Sequence, residues 1–390
     1  MGTRAVSTAP DDHLNADIAA RTDSYFTRTK EVVTHYGDVR VTYAVFLRRP
    51  VISAPRLMLD WLERVARVRK TRFDFDLVYP EGSWVGAGEP LVYISGSLVQ
   101  LSELETILLQ KVGPACVAAH NAYQMCLALP QVEFLAMDAR HCAGAEMQDM
   151  MAYGASVGGA AAQREGAKGF TGGANDGTAH WFGATRGRGT MPHSLIGYAG
   201  STLRAAEMFH ETFPDLPLTA LTDYFGKEVT DGLAVCARFP ELAAEGKLLI
   251  RLDTHGSRFL EGLDPAESYS VLERHAPGAI RRYRSDTELR YLIGTGVSAA
   301  AIWRMRDALD SAGYRNVRIV ASSGFSVEKC RVMADTKAPI DIVGTGSFLP
   351  EIWSETYATA DIVEYDGVPR VKVGREFLLR RRTESKAAVS

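Results

Sequence analysis

The sequence is short of cysteine, and what it has is not paired by spacing. Its five cysteines, Cys116, Cys126, Cys142, Cys236 and Cys330, are scattered along 390 residues with no C-x-x-C among them. A zinc knuckle or a disulfide framework is therefore not expected, and reduced thiols are. No two of the nine histidines stand four residues apart, so no histidine metal pair is assigned. A G-x-x-x-x-G-K-[ST] phosphate loop and a strand-borne G-x-G-x-x-G are both missing, and no serine nucleophile elbow is expected. No run approaches the roughly 18 apolar residues of a membrane span. The start, "MGTRAVSTAP", has no apolar leader core, and its sixth position is Val, which does not fit a myristoylation signal. These absences lead to the expectation of a cytoplasmic protein. A net charge of −3 gives no basis for a nucleic-acid surface, while leaving room for a small basic pocket.

What is present is ordinary globular material, 46% apolar and 23% charged, in a chain long enough for two domains. Residues 1–130 read as mixed α and β. "SYFTRTKEVVTHYG" has helical spacing and a Gly37 stop, "VRVTYAVFLRRP" reads as a strand ended by Pro50, and "LMLDWLERVARV" as an amphipathic helix. "GSWVGAGEPLVYISGSLVQL" has the pattern of a hairpin, and Ser102 to Glu105 the form of a capping box opening a long helix, which Pro114 is expected to kink or split. Residues 131–350 change texture. Seven short apolar runs, "VEFLAMDAR", "GAKGFTGG", "GRGTMPHS", "LTALTDYF", "LLIRLDTHG", "VRIVASSGF" and "IDIVGTGSF", alternate with helical segments. That rhythm points to βα units in a parallel sheet, either a doubly wound sheet or a barrel; about seven units favour the barrel. In residues 351–390, "DIVEYDGVPRVKVGR" reads as a hairpin able to cover an edge of the first domain. The tail "RRRTESKAAVS" reads as a frayed end.

In parallel α/β folds, ligands meet the carboxyl ends of the strands. Those ends carry Arg140, His193, Asp223, Arg251 and Asp253 with Thr254, and two small-residue turns, Ser322–Gly324 and Gly344–Gly346. Consecutive turns of this kind at helix N-termini suit phosphate, here through Ser323, Gly324, Gly344, Thr345 and Gly346; as isolated turns they could equally be plain connections. Arg251 and Asp253 alternate on one strand and so share one side. They are either a structural ion pair or an anion-binding arginine beside a carboxylate for a sugar hydroxyl or a cation. Arg140 could meet a carboxylate or phosphate, and His193 could be a catalyst or an ordinary turn residue. A barrel aldolase or isomerase calls for a catalytic lysine or an acid pair at these ends, and none stands there.

Several segments, in order, resemble the nicotinate phosphoribosyltransferase family, the type II phosphoribosyltransferases. "RTDSYF" is similar to that family's T-D-x-Y element, "GEPLVYISGSLVQLSELETILL" to its Gly-Glu-Pro strand and glutamate-rich helix, and "AMDARH" to F-G-x-R-R. "GGANDGTAHWFGATRGRGTMPHSL" is similar to the Gly-Thr-Ser-Asn segment and G-T-x-x-H-S, "RLDTHG" to R-x-D-[ST], "IDIVGTGSF" to G-V-G-T, and "DIVEYDGVPRVKVGR" to the returning C-terminal segment. The resemblance implies an N-terminal α/β sandwich, an irregular barrel of roughly seven strands and a C-terminal return. It also implies a homodimer or higher homo-oligomer with shared active sites, in which Tyr25 reaches the partner's barrel. The implied reaction joins nicotinate to 5-phosphoribosyl 1-pyrophosphate, with Mg²⁺, and with ATP as co-substrate through a phosphohistidine at His193. Carried over residue by residue, His193, Arg251 and Asp253 are catalytic. Tyr25, Arg140, Thr178, Ala179, Thr190 and Thr254 bind substrate. Met137 replaces the expected aromatic residue and Ala179 the expected serine, so a related aromatic acid is an alternative acceptor; quinolinate and the amide nicotinamide are the rival pyridine acceptors. A non-catalytic homologue that binds a phosphoribosyl ligand is a further alternative.

Overall fold

The computed structural model describes residues 12–352, 355–356 and 358–379. The opening decapeptide and the basic tail from Arg380 lie outside the described residues. The chain divides into two compact units: one runs up to His120 and resumes from Ile352, the other is Asn121–Glu351. The first unit opens with β1 (Arg40–Leu47), β2 (Val51–Ile52), β3 (Asp74–Leu77), β4 (Trp84–Val85) and β5 (Pro90–Ser97). The second holds β6 (Glu133–Ala136), β7 (Phe170–Gly173), β8 (Leu218–Leu221), β9 (Leu248–Leu252), β10 (Arg318–Ala321) and β11 (Ile342–Thr345). The chain then returns to the first unit as β12 (Ala358–Tyr365) and β13 (Val368–Pro369).

In the first unit, β12 pairs antiparallel with β1, extending an antiparallel sheet ordered β13-β12-β1-β5-β3. Asp366 and Gly367, both at positive φ, make the tight turn between β12 and β13. The helix Ser24–Tyr36 ends at Gly37, where φ is 119°, and Arg56–Arg69 buries Met58, Leu62 and Val65 on one face. Two local expectations give way, and a third keeps only its alternative of a kink. The predicted hairpin does not form, because β4 pairs with β2 while β5 joins the large sheet. The Glu89 carboxylate accepts from Gly86 N (3.2 Å) and from the Tyr79 hydroxyl, shaping the loop that separates the two strands. The capping box is also absent. Ser97 supplies the N-cap instead, its hydroxyl accepting from Gln100 N, while Ser102 sits buried in a 3₁₀ turn. Finally, Pro114 lies inside one continuous helix, Glu105–Ala128. The neighbouring Val112, Ala115, Cys116, Val117, Ala118 and Ala119 are all fully buried, and that packing outweighs one missing backbone hydrogen bond.

In the second unit the six strands are parallel, in the order β7-β6-β11-β10-β9-β8. Spatial neighbours are sequence neighbours, and the first and last strands of the unit pair with each other. This is the cyclic order of an α/β barrel with its ladder interrupted between β7 and β8. The seventh predicted strand, within "GRGTMPHS", would fill that seam. It runs there as irregular chain without a ladder, because two glycines and a proline disfavour a regular strand. Arg188 N donates to Gly173 O at 2.8 Å, and Gly187 lies so close to Asn175 that a Cβ would sit 2.5 Å from its backbone N.

Alternate positions separate the two faces. Phe134, Ala136, Ile250, Leu252, Ile319, Ala321 and Val343 join the large core beneath the helices. Leu135, Leu249, Val320 and Ile342 form a second, small cluster on the other face, with Met137 against it. A cavity of about 200 Å³ beside that small cluster is walled in part by Gly187–Thr190. The opposite, carboxyl ends of the strands carry the polar groups described next. Among the described residues, no helix is long and apolar enough to cross a membrane.

Candidate functional site

Arg251 is the hub of the strand ends. Leaving β9 on the inner face, its guanidinium donates from Nε to Ser322 Oγ, from Nη1 to Thr190 Oγ1 and from Nη2 to Asp253 Oδ2, each at 3.0 Å. Ser322, at the end of β10, donates to Asp253 Oδ1 at 2.9 Å. Both charged side chains are largely buried, and the pairing offsets a burial that would be costly for either alone. The lattice thus draws the seam segment, β9 and β10 to one point, with a carboxylate and a guanidinium held rigid before any ligand arrives.

His193 begins the helix His193–Ala199 directly after Pro192. Its Nε2 faces the Asp223 carboxylate, at 3.1 and 3.2 Å from the two oxygens, and its side chain is 48% exposed. A carboxylate on Nε2–H selects the tautomer whose Nδ1 carries the free lone pair. Asp223 is itself held, since Arg258 Nη2 donates to its carbonyl at 2.8 Å and pairs with the buried Glu228 carboxylate. Its role was not legible in the sequence, because an aspartate after a short strand is an ordinary turn residue.

Next to this lattice, the β10 loop turns through Ser323 (φ 78°) and Gly324 (φ 63°). Both border a pocket of about 250 Å³ that Arg290, Thr295, Gly296 and Lys329 also line. Lys329 is 4% exposed, and its ammonium donates to Ser323 O at 2.7 Å while lying 4.4 Å from the centre of the Phe325 ring. No acidic side chain pairs with Lys329 or with Arg290 among the described residues, and burial pushes the Lys329 amine down to about 7. A guanidinium and a buried amine able to take up a proton, set beside a left-handed turn, are the chemistry that could hold an anion. Sequence reading passed over both: Lys329 stands three residues into a helix capped by Ser326, and Arg290 far off in another.

The second small-residue turn lies elsewhere. A Cβ on Gly344 would meet Met137 Sδ at 2.7 Å, and one on Gly346 would meet Met137 O at 2.5 Å. Gly344 and Gly346 therefore serve close packing against the end of β6, while the buried Thr345 Oγ1 has no partner among the described residues. Gly344–Gly346 do not line the pocket of Ser323 and Gly324. Arg140, on the 3₁₀ turn Ala139–His141, is exposed. Behind it Asp138 is buried, its carboxyl pushed up to about 6 by desolvation, with the Cys142 thiol 3.6 Å away.

Thr254 turns from the lattice and donates to the buried Glu228 at 2.8 Å. Thr178 donates to Asn175 Oδ1 at 3.2 Å, and Ala179 is 1% exposed. Tyr25 belongs to the first unit, where it is exposed on the helix Ser24–Tyr36. The spacing Gly154-x-Ser156-x-Gly158 resembles a nucleophile elbow, yet it lies inside the helix Ala145–Gln163, where Ser156 donates to Tyr153 O at 2.8 Å. Among the described residues, no three His, Cys, Asp or Glu side chains are grouped to hold a metal ion.

No family model matches the chain, and no curated protein sequence does. Solved structures do. Nicotinate-nucleotide pyrophosphorylase from Pyrococcus furiosus superposes with a TM-score of 0.67 at 23% identity, over 96% of this chain and 81% of that one. Human nicotinic acid phosphoribosyltransferase gives 0.58 at 17% identity, over 90% and 75%. The nicotinate-nucleotide pyrophosphorylase of Francisella tularensis gives 0.52 at 12%, over 93% and 100%. The chain has the type II phosphoribosyltransferase fold. In that fold the barrel-like second unit bears the Arg251 lattice, His193 and the Lys329 pocket at one end of its strands.

Proposed function

We propose that the chain transfers the phosphoribosyl group of 5-phosphoribosyl 1-pyrophosphate to nicotinate, releasing pyrophosphate and forming nicotinate mononucleotide. The observation that carries this reading is the joining, through the continuous segment Ser322–Gly324, of a rigid Arg251–Asp253 pair to an anion pocket. A sugar with phosphate at both ends needs such an arrangement. The 5′-phosphate takes the amides of Ser323 and Gly324 with Lys329 and Arg290. The Asp253 carboxylate accepts from the ribose diol, and Arg251 faces the negative charge that develops as the C1–O bond to pyrophosphate breaks. Arg140, exposed beside the same strand ends, receives the acceptor carboxylate. Thr190 fixes Arg251.

Tyr25 acts on the barrel of a second copy, which makes a homodimer the working form in the cytoplasm. Mg²⁺ fits the residues present when the substrate phosphates hold most of its coordination. Asp253 and Asp223 already accept from neighbours, and one or two carboxylates suffice for a phosphate-bound Mg²⁺. Asp253 and Asp223 would be the carboxylates nearest such an ion, which would supply positive charge toward the departing pyrophosphate. ATP coupling runs through His193, with Nδ1 as the attacking nitrogen, the bond to the γ-phosphorus forming as the bond to ADP breaks.

Two outcomes test the proposal. Pyrophosphate release from the donor should require nicotinate and be at least tenfold slower with quinolinate or nicotinamide; equal rates without any acceptor would remove the assignment. His193→Ala should abolish nicotinate-dependent ATP hydrolysis while sparing a slow, ATP-independent transfer. Unchanged ATP hydrolysis in that variant would remove His193 from the coupling.

A further inference from the structure

The first unit holds a second cleft, bordered on one side by Tyr25, whose other lining residues have no part in the transfer reaction proposed above. Its volume is about 550 Å³, with Phe26, Tyr43 and Tyr365 among its walls and Glu105, Asp361 and Ser102 among its polar lining. Glu105 makes no hydrogen bond or ion pair among the described residues, although much of its side chain is buried over Tyr43 and Leu108. Ser102 is 1% exposed, and its hydroxyl likewise has no partner. Leaving a buried carboxyl and a buried hydroxyl unsatisfied is costly, and a bound group that donates to both would remove that cost. Asp361 has a counter-charge, Arg375 Nε at 2.9 Å, although its Oδ2 lacks a well-aligned hydrogen bond among the described residues, so Glu105 is the carboxyl with no cation beside it.

We propose that this cleft binds an organic cation, an ammonium or guanidinium group seated on Glu105 and Ser102 against the Tyr43 and Tyr365 rings. The inner end is complementary to such a group: a donor-only head for two acceptors, and the Tyr43 ring beside it for a cation. Burial, Asp361 and Asp23 push the Glu105 carboxyl up to about 8, the state expected of a carboxylate lacking its counter-charge. Tyr43 is held protonated by the same burial and by Glu105. At the rim, Arg370 and Lys372 are exposed, Arg370 lying over Tyr365 at 5.2 Å. They favour a ligand whose cationic head carries an anionic tail.

The test uses the full chain with L-arginine and with agmatine, its decarboxylated form, read by calorimetry. Both should bind, arginine more tightly, and Glu105→Gln should raise each Kd at least tenfold. Arg370→Ala with Lys372→Ala should erase only arginine's advantage. Should Glu105→Gln fail to fold, the wild-type profile still decides: agmatine should bind more tightly from pH 7 to pH 9 as Glu105 ionises. A side chain of a second copy is told apart from a free ligand by sedimentation. Self-association competed by agmatine supports the same cationic group delivered by protein. Absence of binding by both probes together with association that agmatine does not affect, or equal affinity in Glu105→Gln, would overturn the proposal.

Discussion

Arg251→Met is expected to lower kcat/KM for phosphoribosyl transfer by about a thousandfold, with most of the loss in kcat. Three donors leave together: those to Ser322, Thr190 and Asp253. Ser322 still donates to Asp253, so the carboxylate keeps one partner but loses its counter-charge in a largely buried setting. The folded state should therefore weaken as well, by on the order of 3 kcal/mol. Replacing Asp253 by leucine in the same chain should recover part of that stability and none of the activity. Steady-state kinetics and urea unfolding separate the two effects. A variant that loses stability while keeping kcat would reduce Arg251 to a structural ion pair.

Lys329→Met is the second large effect, and it falls on donor binding. KM for the phosphoribosyl donor should rise about a hundredfold, the scale of a lost charge-assisted hydrogen bond in a buried site, with kcat little changed. The amine titrates at about 7 in the fold against 10.5 when free. Between those values the unfolded chain holds the proton and the folded chain does not, so the stability of the ligand-free protein rises with pH across that window. Below about 7 both forms are charged and the burial penalty is fully present. Thermal unfolding followed from pH 7 to pH 10 should show this rise in the wild type, and the variant should lack that contribution. An arriving phosphate restores the charge, so donor binding should take up a proton near pH 8 in the wild type alone.

Much of the second unit was legible, because β-strand ends that terminate in charged or small residues are readable one by one. Arg251 and Asp253 alternate in an apolar run, and alternation alone puts them on one side. The limits lay where partners come from distant segments. His193 and Asp223 could each be placed at a strand end, but not the contact between them, across 30 residues, that fixes the histidine tautomer. Lys329 follows the predicted turn by only a few residues, yet its role depends on folding back to Ser323 O and on Phe325. The two glycine turns look alike in sequence and differ in surroundings: Ser323 and Gly324 stand beside Lys329 and Arg290, while Gly344 and Gly346 pack on Met137. "GRGTMPHS" misled for a related reason. Its position in the βα rhythm is that of a strand, but its composition cannot support a ladder, so it occupies the seam as irregular chain. The capping box at Ser102 had the right letters, and the helix had already been opened upstream by Ser97.

The most direct measurement is the conversion of ring-labelled nicotinate to its mononucleotide by the purified full chain, with 5-phosphoribosyl 1-pyrophosphate and Mg²⁺, with and without ATP. Labelled mononucleotide should appear in equal amount to pyrophosphate, faster with ATP present. Donor binding without labelled product from nicotinate, under conditions where another acceptor is converted, would contradict the proposed function.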